Sequence, residues 1–288
     1  MLKVPGLEPI DYLIIGHITQ DITPEGPRVG GTVSFSGLTA QVLGARVGVV
    51  TTWGEESGGE LLEGLAIVNQ KCERSSTFEN IYTPAGRVQT LHHLAPSLDY
   101  YHIPEVWRNA PNVHLAPVIQ EINPNIVRYF PDSQVYLTPQ GWLRGWDHQG
   151  RVYPDEWPEA RYILRQTSAV VISDADVQDD FSTIEMMAEA APILVVTQAA
   201  DGATLYTEGE VHQFPAPRAE VQDSTGAGDI FAAAFFLQLS THGDPREAVR
   251  FANQLAADSV TRPGLSGVPT EDILYTQIEK FTSPSNSI

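Results

Sequence analysis

The residues in this sequence that are best suited to chemistry lie at positions 223–239, where a glycine-rich turn stands directly before a long apolar run. Ser224 and Thr225 are predicted to cap a helix, because hydroxyl oxygens accept hydrogen bonds from the unpaired backbone N–H groups of a first helical turn. The residues that follow are small enough to leave those N–H groups uncovered: Gly226, Ala227 and Gly228. Since the N-terminal end of a helix also attracts negative charge, this turn predicts a binding site for an anion such as a phosphate.

Asp229 stands at the edge of the same turn. The helix dipole is expected to keep its carboxylate ionised, so that it can accept the proton of a hydroxyl group aimed at the phosphate. Residues 230–239 are apolar apart from Gln238, which predicts a buried helix that holds the site still. The alternative is a helix start without a ligand, in which the acid only complements the dipole.

Two common phosphate-binding motifs do not match this turn. No Lys-Ser/Thr pair follows the glycines, as a Walker A loop requires, and Phe231 occupies the third glycine position of a dinucleotide-binding fingerprint. Residues 223–229 read DSTGAGD, which resembles the DTxGAGD signature of the PfkB-type carbohydrate kinases, the ribokinase-like family, with Ser224 in place of the usual Thr.

The resemblance implies a ribokinase-like α/β fold, with a mostly parallel central sheet flanked by helices and a small β lid. It implies an ATP-dependent kinase that phosphorylates a hydroxyl group of a small sugar or polyol, with Mg²⁺ arriving on the nucleotide. Asp229 would be the general base, and residues 226–228 would form the anion hole. A monovalent cation such as K⁺ beside Asp223 and Thr225 is also implied by the resemblance.

On the acceptor side, Asp21 comes just after a predicted central strand, where open α/β sheets bind ligands. It either caps a turn or, as in the family, grips substrate hydroxyls. Gly30 and Gly31 look like the substrate-side GG motif of the family, and Phe35 replaces the Asn that many sugar kinases have. Gln140 replaces the Asn of the D-P-N-x-R motif that residues 138–144 resemble, and it is predicted to contact the substrate.

On the nucleotide side, Thr197 and Gly202 lie in a segment that resembles the TxGxxG turn along the ATP phosphates, with Ala199 in place of its first glycine. Residues 251–269 look like the adenine-binding end of ribokinase-type kinases, and Asn253 is expected to face the nucleotide. Residues 173–176 stand near the family's N-x-x-E motif, whose Glu helps to arrange metal and water.

The elements that must position these residues alternate between strand and helix. Short apolar runs predict buried strands at residues 12–15, 46–52, 113–116, 135–138, 170–173 and 193–197, and two further strands at residues 203–206 and 211–214. Helices are expected at residues 34–43, about 57–69, 177–190, 230–239 and 248–261. This alternation indicates a mostly parallel sheet in a single domain that spans residues 1–288.

The lid is predicted from two runs of β-forming residues that bracket a turn, over residues 77–94. Residues 22–29 are short, with two prolines and a glycine, so they are expected to add only a small contribution. A hairpin alone is marginally stable, so its apolar residues need a surface to pack on: Phe78, Ile81, Val88 and Leu91. The hairpin is therefore predicted to cover the substrate cleft and to form a homodimer contact.

Composition limits the other functions. The 288 residues are 42% hydrophobic, enough for one large domain, and the formal net charge of −19 argues against nucleic acid or an anionic membrane as a partner. The single cysteine, Cys72, excludes an internal disulfide and a CxxC metal site. With no signal-peptide pattern and no long apolar run, the chain is expected in the cytoplasm.

Two alternatives to a sugar or polyol kinase stay open. A nucleoside kinase of the same family would suit a short lid and Phe35. A small-molecule sensor without catalysis belongs to a different class, and the presence of Asp229 argues against it. ATP turnover stimulated by an acceptor separates the sensor from the kinases.

Overall fold

The computed structural model describes residues 7–54, 56, 58–83, 86–178 and 180–282. Its strands, in chain order, are β1 (Tyr12–Ile15), β2 (Thr19–Thr23), β3 (Gly26–Gly30), β4 (Val47–Trp53), β5 (Ala66–Lys71), β6 (Thr77–Thr83), β7 (Gly86–His93), β8 (Asn112–Leu115), β9 (Gln134–Leu137), β10 (Arg144–Trp146), β11 (Val152–Pro154), β12 (Ala169–Ser173), β13 (Ile193–Thr197), β14 (Ala203–Thr207) and β15 (Glu210–Phe214). Its α-helices are α1 (Thr32–Val42), α2 (Ala160–Leu164), α3 (Phe181–Ala190), α4 (Ala227–His242), α5 (Pro245–Ser259) and α6 (Glu271–Thr282). Within these ranges, no helix has both the length and the apolar character needed to cross a bilayer.

The central sheet has nine strands in the order β15-β14-β13-β12-β9-β8-β1-β4-β5. The pairs from β13 to β5 are parallel, whereas β14 and β15 extend one edge as an antiparallel hairpin. The strands predicted from apolar runs all lie in this sheet, because strands buried on both faces need side chains that pack on helices above and below. This confirms the mostly parallel sheet flanked by helices.

The chain reverses its direction of strand addition at β1, which pairs with β4 on one side and β8 on the other. Beyond β1, Gly16 lies so close to the Ala116 carbonyl that a Cβ atom would overlap it. A crevice outside the carboxyl ends of parallel strands at such a reversal is where open α/β sheets bind ligands. The topology therefore places the loop that leads to Asp21 at this crevice.

Helix α4 is buried on every side from Ile230 to Phe236, as its apolar sequence predicts. Its residues from Ile230 to Phe236 pack in one cluster with strand residues such as Tyr136 and Val171 and with α5 residues such as Leu255. The aromatic ring of Phe236 stacks on that of Tyr136 with 4.7 Å between the ring centroids. Tight packing on all faces fixes the start of this helix against the rest of the domain.

The predicted helix at about residues 57–69 is wrong. The chain forms a short 3-10 turn at Gly59–Leu62 and then strand β5, which pairs in parallel with β4; residue 57 lies outside the described residues. Gly64 has a φ of +90°, a backbone conformation that ends the turn. Because β4 would otherwise expose a hydrogen-bonding edge, pairing with residues 66–71 decides the conformation over local helix propensity.

A separate four-stranded sheet forms the lid, in the order β3-β2-β6-β7. The predicted hairpin at residues 77–94 corresponds to β6 and β7, although its turn at residues 84 and 85 lies outside the described residues. The contribution of residues 22–29 is larger than expected. Residues 19–30 form a complete antiparallel hairpin, and β2 pairs in parallel with β6, because the glycine at position 26 has the positive φ, +117°, that lets so short a connection turn back.

The two faces of the lid sheet differ in what covers them. Phe78 and Leu91 are cross-strand partners, and they are buried in a cluster with Val118 and Ile119 of the same chain. The opposite face carries three exposed side chains, Ile22, Ile81 and Val88, which are 39%, 49% and 45% exposed. The need for a covering surface is thus met within the chain for Phe78 and Leu91, and we define the other three residues as the outer lid patch.

We predict that the outer lid patch is the contact of a homodimer. Val88→Asp should convert the dimer to a monomer without unfolding it, because a charge would be buried in an apolar interface. Light scattering coupled to size-exclusion chromatography at micromolar concentration measures the mass. The matched control is Val211→Asp, since Val211 is also an exposed strand valine but lies on β15, far from the lid. A wild-type monomer would contradict the prediction.

Candidate active site

The turn before α4 has a different cap from the predicted one. Gly226 is the N-cap residue, with a φ of +79°, and no side chain caps the helix. The expected capping by Ser224 and Thr225 is therefore wrong. The ring of Phe35 packs so closely on Gly226 that a Cβ atom would overlap the ring, and Asp223 accepts the Thr225 N–H. Only glycine satisfies both the positive φ and this close contact.

The first turn of α4 is open to an anion. The Ala227 N–H donates to the Ser224 carbonyl, and the Ile230 N–H donates to the Gly226 carbonyl. Between them, the N–H groups of Gly228 and Asp229 make no hydrogen bond to the residues that the structure describes. A Cβ atom added at Gly228 would meet nothing within 4 Å. The unpaired N–H donors, the open space and the N-terminal end of a 16-residue helix together have the features of an anion site.

Helix α1 holds Asp229 from the other side. The Ser36 hydroxyl donates to the Asp229 carbonyl at 2.9 Å, and the Thr32 side chain hydrogen-bonds the Asp229 carboxylate. Both hydroxyl residues are buried. Since α1 begins at Thr32 and α4 begins at Ala227, the two helix starts meet at this carboxylate.

Asp229 has an unusually high pKa for a carboxyl group. Although the side chain keeps partial contact with solvent, burial by the surrounding protein raises its pKa from 3.8 to about 6. The hydrogen bond from Thr32 and the positive charge of Arg144 lower the pKa. The negative charges of Asp176 and Asp21 raise it. Desolvation and two like charges therefore act against the expected effect of the helix dipole, and with a pKa of about 6 the carboxyl group is still mostly ionised near pH 7. A carboxylate with a pKa near the working pH is well suited to proton transfer.

Asp21 reaches the site from the lid strand β2. Its carboxylate lies against Gly30 on β3, where a Cβ atom would overlap it. Gly31, with a φ of +89°, lies against the His17 carbonyl and directly precedes α1. The two glycines thus let the chain pass close to Asp21 and then start the helix that holds Asp229. Their contact with a substrate stays a prediction.

A third group comes from the loops after β9 and β12. The Gln140 Nε2 group donates to Asp176 Oδ1 at 2.8 Å, and an Arg144 guanidinium nitrogen lies 3.7 Å from the same oxygen. The other oxygen of Asp176 accepts the Ser173 N–H at 3.0 Å. Asp176 and Arg144 both act on the pKa of Asp229, so the cluster lies within electrostatic range of it. Gln140 belongs to this cluster through the hydrogen bond of its amide nitrogen to Asp176, and its contact with a substrate stays a prediction.

The sequence prediction placed Asp176 only near a motif that arranges metal and water, and it did not assign Thr32 or Arg144 to this site. Thr32 directly follows the GG pair, and the other two lie within a few residues of the ends of β9 and β12. Polar residues just beyond the ends of parallel strands are a usable signal, because those ends converge on one edge of the sheet. That signal alone does not select these three residues among the many polar residues in such loops.

The residues predicted to bind ATP have partners within the protein. The Thr197 hydroxyl donates to the Ile172 carbonyl at 3.2 Å, and Gly202, with a φ of +95°, lies against the Phe214 carbonyl. Asn253 is only 5% exposed and donates to the Phe214 carbonyl at 3.1 Å. The expectation that the Asn253 side chain faces the nucleotide is therefore wrong. A buried amide must be hydrogen-bonded, and here it connects α5 to the end of β15.

The place predicted for K⁺ does not fit a cation. Asp223 Oδ1 accepts the Thr225 N–H at 2.9 Å, and Oδ2 accepts the Gly264 N–H at 3.0 Å. The Arg28 guanidinium lies 4.0 Å from the same Oδ2. These groups present positive charge to the carboxylate, whereas a monovalent metal ion needs several oxygen ligands. No cluster of three or more His, Cys, Asp or Glu side chains with metal-binding geometry occurs among the described residues.

Comparisons with known proteins agree with this architecture. Residues 169–272 match the sequence profile of the pfkB family carbohydrate kinases. The chain is 25% identical to the cytidine kinase of Thermococcus kodakarensis over 88% of this chain and 98% of that protein. A pyrophosphate-dependent kinase in the ribokinase family, complexed with a pyrophosphate analogue and myo-inositol, has a TM-score of 0.77 at 19% identity and covers 92% of this chain and 99% of its own. Arabidopsis thaliana ribokinase complexed with ribose and ATP has a TM-score of 0.72 at 17% identity, with coverages of 94% and 99%. These similarities confirm the predicted ribokinase-like fold.

The raised pKa of Asp229 predicts a gain in stability from its removal. The folded chain keeps this group protonated up to about pH 6, whereas the unfolded chain releases the proton near 3.8. The contribution of Asp229 to the free energy of unfolding is therefore fully present below pH 3.8 and is lost as the pH rises through about 6. Asp229→Asn should raise the unfolding temperature at pH 8 by roughly 2–4 °C, the scale of about 1 kcal/mol in a large domain, and by much less at pH 4.

The matched control for this measurement is Asp180→Asn. Hydrogen bonds from Ser182 and Thr183 lower the pKa of Asp180 at the start of α3, so its ionised form stabilises the fold. Asp180→Asn should gain no stability at pH 8. Calorimetry of both variants at the two pH values measures the effect, and equal shifts for the two variants would contradict the assignment.

Proposed function

We propose that this chain is a PfkB-type carbohydrate kinase, which its similarities support, and that it transfers the terminal phosphoryl group of ATP to a hydroxyl group of a small sugar or polyol. The observation that carries the proposal is the Asp229 carboxylate, which has a pKa of about 6 and stands beside two unpaired N–H groups at the start of α4. Phosphoryl transfer to an alcohol needs a base aligned with the hydroxyl and positive charge around the phosphoryl group. Both requirements meet at this turn.

Each residue of the site has a distinct role in the proposed reaction. Asp21 accepts hydrogen bonds from acceptor hydroxyls and orients the reacting one. Asp229 accepts the proton of that hydroxyl as its oxygen attacks the phosphorus. The unpaired backbone N–H groups of Gly228 and Asp229 stabilise negative charge on the transferring group. The Ala227 N–H, which was predicted for the same role, already donates to the Ser224 carbonyl. Because the transition state is loose, positioning and charge stabilisation do most of the catalysis.

Arg144 and Asp176 adjust this machinery. The positive charge of Arg144 lowers the pKa of Asp229 and so favours its ionised form, whereas the negative charge of Asp176 raises the pKa. The ion pair between them, at 3.7 Å, also holds Arg144 in place, and Gln140 donates to the same carboxylate oxygen. We assign Arg144 and Gln140 to the acceptor pocket, because guanidinium and amide N–H groups are donors suited to hydroxyl oxygens.

The phosphates of ATP fit the open space above Gly228, where an added Cβ atom meets nothing within 4 Å. The ribose and adenine would extend towards the turn that contains Thr197 and Gly202. Mg²⁺ suits a site of this kind, since it is usually held by nucleotide phosphates, water and one or two carboxylates. Asp176 is the carboxylate next to the reacting groups that would approach it through water. When bound, Mg²⁺ neutralises charge on the phosphates.

A nucleoside kinase is the second candidate, and the similarity to a cytidine kinase along most of the chain favours it. Phe35 does not favour a nucleoside as the acceptor, because that side chain is only 2% exposed and packs on Gly226. It shapes the catalytic turn and is inaccessible to a substrate base. A sensor without catalysis would not need a carboxylate with a pKa of about 6 at the anion site.

A substrate panel tests the proposed function. Purified protein would be assayed with sugars, inositols and nucleosides as acceptors and with ATP as donor, and phosphorylated product would be detected by mass spectrometry. Pyrophosphate belongs in the same panel as a second donor, because a similar structure is that of a pyrophosphate-dependent kinase. Product from a nucleoside alone would favour the second candidate. No product with any acceptor and donor would refute both kinases.

Asp229→Asn should reduce kcat by at least about a hundredfold, the usual contribution of a general base. In the wild type, kcat/KM should fall as the pH decreases below about 6, because the protonated carboxyl group cannot accept a proton. Asp180→Asn, which changes a carboxylate at the start of α3, serves as the control and should keep full activity. Activity of Asp229→Asn within about tenfold of the wild type would show that Asp229 is not the general base.

Asp21→Asn and Gly228→Val should affect opposite halves of the site. Loss of a charged acceptor at position 21 should raise the acceptor KM by roughly ten- to a hundredfold, for about 1.5–3 kcal/mol, and spare the donor KM. A branched side chain at position 228 should fill the open space and raise the donor KM instead. Initial-rate kinetics with each substrate varied in turn measures both. If both variants change the same KM, the donor and acceptor assignments are wrong.

A further inference from the structure

Arg28 connects the lid to the turn that precedes the catalytic helix. It lies on β3, where it is the cross-strand partner of Asp21 on β2. One guanidinium nitrogen is 4.0 Å from Asp223 Oδ2, and the other is 3.3 Å from Glu25 Oε2. The Arg28 side chain is 43% exposed and that of Asp223 is 22% exposed, so the pair is partly open to solvent.

Asp223 holds the turn together through its other contacts. The same carboxylate accepts the N–H of Thr225, two residues before Ala227, and the N–H of Gly264 in the loop after α5. It thereby links the catalytic turn to a second loop. Although burial raises its pKa, the two backbone hydrogen bonds and Arg28 hold it below the ordinary value of 3.8. The carboxylate is therefore ionised under working conditions and needs a positive partner.

A bound metal ion is poorly suited to be that partner. Each carboxylate oxygen already accepts a backbone N–H, and the guanidinium stands on the Oδ2 side. A K⁺ ion there would share each oxygen with a backbone N–H and would be repelled by the guanidinium. The positive charge of Arg28, in contrast, is always present beside Asp223, since an arginine side chain stays protonated at any working pH.

We propose that Arg28 supplies from the lid the positive charge at Asp223, in place of a monovalent cation, and that the kinase is consequently independent of K⁺. The kinetic part of this inference rests on the proposed function. Because Arg28 and Asp21 are directly opposed on β2 and β3, the lid brings the charge and the acceptor-binding carboxylate to the site together. Arg28 is a positioning residue here, acting on the catalytic turn through Asp223.

The first test compares wild-type kinase rates in KCl, NaCl and choline chloride at equal ionic strength. The expected rates agree within about twofold. Arg28→Gln should lose at least tenfold in choline chloride and recover most of that loss in KCl, because a free cation can then reach Asp223. Arg46→Gln is the matched control, since Arg46 also pairs with an aspartate, Asp11, but on the remote surface. It should behave as the wild type in every salt.

A second readout does not depend on catalysis. A cation that binds only the folded chain stabilises it by RT ln(1 + [L]/Kd), where [L] is the free cation concentration, and so raises its unfolding temperature. The wild type should therefore unfold at the same temperature in KCl and in choline chloride, and Arg28→Gln should unfold at a higher temperature in KCl.

The two readouts separate failure of this inference from failure of the proposed function. Stimulation of the wild type by K⁺ of more than about fivefold over choline, or a K⁺-specific rise in its unfolding temperature, would overturn the inference. So would full activity of Arg28→Gln in choline chloride, or a loss that KCl does not restore. Absence of turnover in every salt would refute the proposed function, and the unfolding temperatures would still decide the role of Arg28.

Discussion

The packing of α1 against the first turn of α4 is the constraint on which the site depends. The Phe35 ring occupies the space where a side chain at position 226 would stand, so that residue must be glycine. The Ser36 hydroxyl then holds the carbonyl of Asp229, and Thr32 holds its carboxylate. Because both helices start at the same point, the position of the carboxylate is determined by two rigid elements. Such preorganisation is what a catalytic group requires.

The same packing sets the chemistry of Asp229. Enclosure by protein disfavours its charged form, and the neighbouring carboxylates of Asp21 and Asp176 add to that effect. Arg144 is the nearby cation that works in the other direction. In a chain with 36 acidic and 17 basic residues, the few cations near the cleft have large local effects. Arg144 acts beside Asp229, and Arg28 acts beside Asp223 on the adjoining turn.

The lid contributes in two ways that follow from the alternation of side chains along its strands. Its inner face carries Asp21 towards the site and buries Phe78 and Leu91 on the main body of the protein. Its outer face carries the exposed patch of Ile22, Ile81 and Val88. A sheet of four strands anchored by apolar contacts is stable where a lone hairpin is not. The anchored sheet keeps Asp21 and Arg28 in fixed register.

The sequence by itself determined the strand and helix alternation and the buried α4, because hydrophobic periodicity reports local structure directly. Its glycine positions predicted an anion site at residues 226–228. It also singled out Asp21 and Asp229. The tertiary structure alone decided the pKa of Asp229, the grouping of Thr32, Arg144 and Asp176 around it, and the inward orientation of Asn253. It also made residues 66–69, which were predicted to end a helix, part of strand β5, and it placed Arg28 at Asp223. These features depend on contacts between residues far apart in the chain, where burial and long-range charge outweigh the local propensities that a sequence displays.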